Sequence, residues 1–330
     1  MKLLNVLFTV PLGEESFHQI ANLSPDIRVT DVSDLVQAEY VGDFSSKDKL
    51  DASLANAEIV YGFTFPKNLI ARAPKLKWIQ SMSAGMEHIL DSEIVSSNVV
   101  VTNTSGIHAV PMAESVLGLM LMFVKHAPSY FELKRKGQWK VIIPSVLRSK
   151  TVGIVGLGSI GREVAKLSKA FGMRVVATRR STKSIARAKN VDCMLPSNQL
   201  HKLLSESDFA VLTLPLTRET NKLIGKEELQ TMKPTAYLIN VARGNIVHEE
   251  VLIHALEEGW IAGAGLDVFA TEPLPKESKL WKLPNVILSS HVTGDMSDYE
   301  FRATELFCDN LSRYINGNKL FNIVAKRKGY

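Results

Sequence analysis

Thr151-Val152-Gly153-Ile154-Val155-Gly156-Leu157-Gly158-Ser159-Ile160-Gly161-Arg162-Glu163-Val164-Ala165 decides how this chain folds. A short apolar run, Val152 to Val155, leads directly into three glycines in G-x-G-x-x-G spacing. An apolar-periodic segment follows, with Ile160, Val164, Ala165 and Leu167 on one face. The order is strand, tight turn, helix. Gly156 permits the turn, Gly158 lets a pyrophosphate approach the backbone, and Gly161 lets helix and strand pack closely. A helix opening there aims N–H groups and a positive dipole end at phosphate oxygens, with Ser159 and Ile160 in its first turn. By itself the pattern also fits a plain glycine-rich turn, so the next strand has to discriminate.

That strand runs from Met173 to Thr178 and is followed by Arg179, Arg180 and Ser181. An NAD site wants a carboxylate at this strand end, to accept from the adenosine ribose 2′-OH. Here there is none. Two guanidiniums and a hydroxyl would hold a 2′-phosphate that a carboxylate would repel. The expected cofactor is NADP(H), with NAD(H) as the second candidate. If the two arginines are only a solvated loop, that preference disappears.

The bulk numbers exclude several classes. With 330 residues there is room for two domains with real cores. A hydrophobic share of 45% and a charged share of 22% describe an ordinary globular chain. The formal charge of +5 comes from scattered residues, which argues against a nucleic-acid surface. Cys193 and Cys308 lie far apart, in no metal or C-x-x-C spacing, so no metal site is expected and a reducing cytoplasm is. The apolar run Val116 to Val124 is too short to cross a membrane, and the N-terminus reads as a first strand, not a leader.

Before residue 104, strand candidates are Leu3–Val10, Ile27–Thr30, Ile59–Tyr61, Trp78–Ser81 and Val99–Asn103. Helical candidates are Glu14–Leu23, the neighbourhood of Ala71, and Glu87–Ser92. The alternation predicts a small parallel α/β domain. The loop Ser83-Ala84-Gly85 offers backbone N–H groups to an anion such as a substrate carboxylate, or is a simple turn. Thr102 to Gly106 reads as a hinge. Pro111 opens a long apolar helix, destined for burial, a subunit interface, or both. Trp139 is expected to pack in a core. Further strands end at Thr217, Gly244, Phe269 and Ser290, and in a parallel sheet ligands gather at such ends. Arg243, Asp267 and His291 each fall there.

Hydride transfer to a 2-keto acid needs a proton donor for the carbonyl oxygen, and a histidine suits it. A carboxylate on the other ring nitrogen would fix the tautomer, and an arginine fork would grip the substrate carboxylate. The chain offers His291, Glu272 and Arg243. Singly, each has an ordinary structural reading; together, downstream of a glycine fingerprint, they form a candidate catalytic set.

Over nearly its full length the sequence resembles the D-isomer-specific 2-hydroxyacid dehydrogenases. The match is carried by Gly156-x-Gly158-x-x-Gly161, Asn240-Val241-Ala242-Arg243-Gly244, Gly265-Leu266-Asp267-Val268-Phe269 with Glu272-Pro273, His291-Val292-Thr293-Gly294, and Ser83 to His88. The resemblance implies catalytic Arg243, Glu272 and His291, with His291 the acid/base and Glu272 its partner. It implies substrate contacts at Ser83, Ala84, Gly85, Arg243 and His291, and Asp267 near the nicotinamide. Candidate cofactor contacts are then Gly156, Gly158, Ser159, Ile160, Gly161, Thr178, Arg179, Arg180, Ser181, Leu214, Pro215, Val241, Ala242, Asp267 and Gly294.

The implied fold is α/β, with two Rossmann-like doubly wound parallel-sheet domains. Residues 1–104 would bind substrate, 105–294 would bind NADP, and 295–330 would return as a helix to the discontinuous substrate domain. A homodimer clasped through the Pro111 helix region is also implied. Arg179 stands where many members carry Asp, as in NADP(H)-preferring glyoxylate and hydroxypyruvate reductases. No extra regulatory domain after the last helix, as in the longer phosphoglycerate dehydrogenases, is expected. The expectation is NADPH-dependent reduction of glyoxylate, hydroxypyruvate or a like 2-keto acid. A bulkier keto acid, met by Phe63, Phe65 and Met86, is the first alternative. A nucleotide sensor like the C-terminal-binding-protein corepressors is the second, and a formate or phosphite dehydrogenase the third.

Overall fold

A computed structural model describes residues 3–86 and 89–328. The chain divides into two compact units. Unit 1 is Met1–Ile107 with Met296–Tyr330, and unit 2 is His108–Asp295.

Unit 1 begins β1 (Leu4–Phe8), α1 (Glu14–Ala21), β2 (Ile27–Asp31), α2 (Ser33–Tyr40), α3 (Lys47–Leu54), β3 (Ile59–Gly62), α4 (Leu69–Arg72), β4 (Trp78–Ser81), α5 (Ser92–Ser96) and β5 (Val100–Thr102). The strands form one parallel sheet in the order β2-β1-β3-β4-β5. β3 and β4 are buried at every residue, as central strands covered on both faces must be.

Unit 2 continues with α6 (Ala109–Val124), α7 (Ala127–Arg135), β6 (Thr151–Val155), α8 (Ser159–Ala170), β7 (Arg174–Arg179), β8 (Ala186–Ala188), β9 (Val191–Pro196), α9 (Leu200–Glu206), β10 (Phe209–Leu212), α10 (Lys226–Thr231), β11 (Tyr237–Asn240), α11 (Glu249–Glu257), β12 (Gly263–Leu266) and β13 (Val286–Leu288). Its eight strands run β13-β12-β11-β10-β6-β7-β9-β8, parallel except the edge pair β8–β9. Two apolar clusters cover the sheet. α6 packs on α8 and on the sheet, where Gly265 makes room. A Cβ there would stand 3.1 Å from Leu119 Cδ1.

The last helix, α12 (Tyr299–Ile315), belongs to unit 1 and packs on α1. Phe307 stacks on Tyr61 at 4.3 Å and tilts against Trp78 at 5.4 Å. Beyond it, Ile323 bridges Thr102 antiparallel at the sheet edge. The Lys326 ammonium donates to the carbonyls of Ile94, Ser97 and Val99 at 2.9, 2.6 and 3.1 Å, tying the C-terminal segment down.

Several expectations need correction. Trp139 is not a core residue. It is 97% exposed in an irregular stretch that also exposes Val141, Ile143 and Val146, because no element among the described residues covers it. The helix expected at Glu87–Ser92 begins where that range ends. Asp91 is its N-cap, its Oδ1 accepting from the Ile94 N–H at 2.7 Å. Glu87 and His88 themselves lie outside the described residues. α2 and α3 were not anticipated. Among the described residues no single helix is long and apolar enough to cross a membrane; α6 and α7 meet at a 64° bend.

Candidate active site

Six strand ends of unit 2 line up. In register, Thr178, Val155, Leu212, Asn240, Leu266 and Leu288 form one row across β7, β6, β10, β11, β12 and β13. Every candidate residue of this unit sits at or just past that row. The loops after β6, β7, β10, β11, β12 and β13 supply Gly156–Gly161, Arg179–Ser181, Leu214 and Pro215, Val241–Arg243, Asp267, and His291–Gly294.

The glycine loop is built as its spacing demands. Gly156 has φ +104°, and a Cβ on it would come within 2.9 Å of Leu214 Cβ. A Cβ on Gly161 would come within 2.5 Å of the Gly156 carbonyl oxygen. That carbonyl accepts from Thr213 Oγ1 at 2.7 Å. Gly158 is the N-cap of α8; no side chain caps it, and nothing lies within 4 Å of its would-be Cβ. The first-turn N–H groups of a 12-residue helix are therefore approachable by an anion, and Ser159 and Ile160 lie in that turn. The cradle fits a dinucleotide phosphate.

Gly156 and Leu157 both donate to the Thr178 carbonyl, at 3.2 and 3.0 Å, which sets the loop against the end of β7. Thr178 is buried; Arg179, Arg180 and Ser181 are exposed beyond it. Glu219, after β10, also belongs to this neighbourhood. Its carboxyl is held below the usual range by the Thr217 hydroxyl and its own N–H, with Arg180 and Arg218 adding to the effect. The sequence reading missed Arg218 and Glu219.

The other end of the row carries an imidazole–carboxylate pair. His291 Nδ1 lies 2.8 Å from Glu272 Oε2. Glu272 Oε1 accepts the Phe269 N–H at 3.0 Å, so the carboxylate spans its own turn and the imidazole. This contact puts the Nδ1 proton toward Glu272 and leaves Nε2 for chemistry. His291 has φ +56°, the left-handed region, and its N–H donates to the Asp267 carbonyl at 2.8 Å.

Asp267 is only 1% exposed. Its carboxylate accepts from Ser289 Oγ (2.6 Å), the Val292 N–H (3.0 Å), the Thr293 N–H (3.2 Å) and Thr293 Oγ1 (2.6 Å). It is thus a knot holding the His291 loop, and its oxygens are committed there. Val241 is likewise buried, so only its main chain can meet a ligand. Arg243 follows a turn shaped by Asn240, whose Oδ1 accepts the Ala242 N–H at 3.1 Å and whose Nδ2 donates to the Arg243 carbonyl at 3.0 Å. Asn240 was quoted in the sequence motif without a role. Its position after an apolar strand is a turn signal. His108 has a structural part, its Nδ1 lying 2.9 Å from the Gly294 carbonyl.

In unit 1 the Ser83–Gly85 loop follows β4. Its carbonyls point into hydrogen bonds. Met82 O accepts from Thr104 Oγ1 at 3.0 Å and from the Tyr299 hydroxyl, Ser83 O from the Thr104 N–H at 3.3 Å, and Ala84 O from Asn103 Nδ2 at 2.9 Å. In a trans peptide the N–H points opposite its carbonyl, so the Ala84 and Gly85 N–H groups face away from those partners. Of the three residues read as an apolar pocket, Met86 is wholly buried in the core and Phe65 packs against the same cluster. Phe63 is partly exposed and stacks on Tyr299.

Comparison with known proteins agrees with this architecture. Residues 117–293 match the D-isomer specific 2-hydroxyacid dehydrogenase, NAD binding domain family. A glyoxylate reductase of Thermococcus litoralis is 38% identical over 273 residues, 79% of this chain and 80% of that protein. A D-isomer specific 2-hydroxyacid dehydrogenase of Xanthobacter autotrophicus, solved with NADPH and MES, superposes with a TM-score of 0.83 at 28% identity, covering 100% of both chains. An NADPH-dependent glyoxylate/hydroxypyruvate reductase of Sinorhizobium meliloti, solved with NADP and sulfate, gives 0.83 at 26% identity, covering 99% of this chain and 100% of that one. The chain belongs to the D-isomer-specific 2-hydroxyacid dehydrogenase family. It is an oxidoreductase acting on a CH–OH group, with a nicotinamide cofactor domain in unit 2.

Proposed function

We propose that the chain is an NADPH-dependent reductase of a small 2-keto acid, glyoxylate or hydroxypyruvate, yielding a D-2-hydroxy acid. The observation that carries this reading is the 2.8 Å contact between His291 Nδ1 and Glu272 Oε2, mounted on the strand edge that also carries Arg243 and the glycine loop. The names of the Thermococcus and Sinorhizobium relatives favour a small acid. Met86 is buried in the core and Phe65 half-buried against it, which weakens the case for a bulky one.

Reduced nicotinamide, when bound, supplies hydride to the carbonyl carbon. His291, oriented by the Glu272 carboxylate on its Nδ1, gives its Nε2 proton to the carbonyl oxygen. Arg243 grips the substrate carboxylate and polarises the carbonyl. Ala84 and Gly85 in unit 1 give the carboxylate backbone donors, whereas the Ser83 N–H is taken by Ser81 Oγ at 2.9 Å, which leaves Ser83 its hydroxyl to offer. Gly156, Gly158, Ser159, Ile160 and Gly161 hold the pyrophosphate. Thr178, Arg179, Arg180 and Ser181 hold the 2′-phosphate, and Leu214, Pro215, Val241, Ala242 and Gly294 line the cofactor. Asp267 acts from beneath, through the His291 loop. In this assignment residues 1–104 and 295–330 serve the substrate and 105–294 the cofactor.

The exposed Trp139, Val141 and Ile143 suit contact with a second copy of the chain in a homodimer, which sedimentation equilibrium tests. The cytoplasm is the compartment that keeps Cys193 and Cys308 as thiols.

The test of function is initial-rate oxidation of NADPH and NADH with glyoxylate, hydroxypyruvate, pyruvate and phenylpyruvate. The expected result is fast turnover with NADPH and a small acid. In the Arg179→Ala/Arg180→Ala double variant the NADPH preference should fall by about 100-fold, as two charge-assisted contacts are lost. An unchanged preference would show the arginines to be mere solvated groups. Tight NADPH binding without turnover would move the reading to a nucleotide sensor.

A further inference from the structure

Glu249, the first residue of α11, lies outside every motif named above, yet it reaches the turn that carries Glu272. Its Oε2 accepts the Ala270 N–H at 2.9 Å. The preceding N–H, that of Phe269, goes to Glu272 Oε1 at 3.0 Å. Two successive peptide N–H groups of one turn are therefore received by two carboxylates, one of which also holds His291.

The same turn is gripped from the Arg243 side. A Cβ on Gly244 would lie 1.9 Å from the Phe269 carbonyl carbon, 2.0 Å from its oxygen and 2.5 Å from the Ala270 nitrogen. The backbone after Arg243 thus lies flat against the peptide whose N–H Glu249 accepts. That peptide unit has one face on Gly244 and its donor on Glu249. Fixing its plane restricts the backbone at Phe269, and so the direction in which the turn presents Glu272.

We infer that Glu249 is a positioning residue for the Glu272–His291 pair, acting through the Ala270 N–H. It touches neither substrate nor cofactor. Its effect is to keep the Glu272 carboxylate where one oxygen meets Phe269 and the other meets the imidazole. The inference rests on the proposed role of His291 as proton donor. The partner facing the His291 ring is Glu272, while the Asp267 carboxylate is occupied by Ser289, Val292 and Thr293.

The experiment compares Glu249→Asp, Glu249→Ala and Glu249→Gln in the full-length enzyme. Aspartate keeps the negative charge at the start of α11 but falls a methylene short of Ala270. Glutamine keeps both reach and an acceptor oxygen. In Glu249→Asp and Glu249→Ala, kcat for keto-acid reduction should fall about tenfold. The alkaline limb of the kcat profile should move down by about one pH unit, because the imidazolium has a poorer partner. The Kd for NADPH, read by fluorescence titration, should not change. Glu249→Gln should restore both the rate and the limb.

An unmoved limb in Glu249→Asp, or a Glu249→Gln variant as impaired as Glu249→Ala, overturns the inference. His291→Ala is the control on the underlying reading. If it stays active, the proton-donor role has failed. If it is inactive and the Glu249 variants keep the normal profile, only the role of Glu249 has failed.

Discussion

The loops after β12 and β13 in unit 2, and the loops after β4 and β5 in unit 1, solve the same problem in opposite ways. Each ends adjacent parallel strands in a polar turn. In unit 2 a buried acceptor side chain collects donors: Asp267 takes four hydrogen bonds from the His291 loop and leaves the imidazole projecting. In unit 1 donor side chains collect acceptors. Asn103 and Thr104 hold the carbonyls of residues 82, 83 and 84, which turns the Ala84 and Gly85 N–H groups the other way, while the Ser83 N–H donates to Ser81 Oγ. One edge presents a titratable side chain, the other presents main chain. A substitution in the first should therefore strike the chemical step, and one in the second should strike binding.

The largest effect follows from the first half of that contrast. His291→Ala removes the proposed proton donor and leaves the glycine-loop cradle intact. We expect kcat to fall by about 1,000-fold, within the usual range for general acid–base catalysis, while NADPH still binds with normal affinity. Steady-state rates and a fluorescence titration measure the two quantities. Near-normal turnover would break the comparison at its strongest point.

Asn103→Ala is the matching change in unit 1. It frees the Ala84 carbonyl and the Ser105 N–H, both held by this nearly buried side chain. The loss of two hydrogen bonds should cost about 2 kcal/mol of stability. The KM for the keto acid should rise several-fold, with kcat changed far less. A lower Tm with KM unmoved would mean that this loop does not meet the substrate.

The same contrast explains what was legible in the sequence. Residue identity reports side-chain chemistry, so Arg243, Glu272 and His291 could be named as candidates from strand ends and motif. The glycine loop was legible because each glycine answers a different steric demand, seen here at Gly156 and Gly161. Identity reports main-chain geometry poorly. The left-handed φ of His291 and the committed oxygens of Asp267 come from a loop folding back on its own strand, and no local pattern encodes them. α3 was missed because its eight residues bury only Leu50 and Leu54, one contact per turn and too little periodicity to read. Trp139 was misread because an aromatic side chain implies burial without saying by what. Glu249 looked like an ordinary first-turn acid, and only tertiary contact gives it a partner.

Reliance on acceptor carboxylates also gives unit 2 a response to acid. Asp192, on β9, accepts the Val175 N–H at 2.8 Å and the Lys169 ammonium at 2.9 Å, bracing the strand that ends in Arg179. Partial burial alone would raise its pKa, but the Val175 N–H, Lys169 and nearby Arg174 outweigh burial and hold the carboxyl below its ordinary value. A carboxyl whose folded pKa is depressed stabilises the fold above its unfolded pKa, near 3.8, and loses that contribution as pH falls through the lower folded value. Asp192→Asn should therefore lower Tm by only about 2 °C at neutral pH, since the Lys169 pair is exposed. The gap between the two proteins should close in thermal melts as the pH drops below the unfolded value. A gap that persists in strong acid would assign the effect to packing and not to charge, and would leave the β4–β5 edge, held by amide and hydroxyl groups, no more acid-resistant than this one.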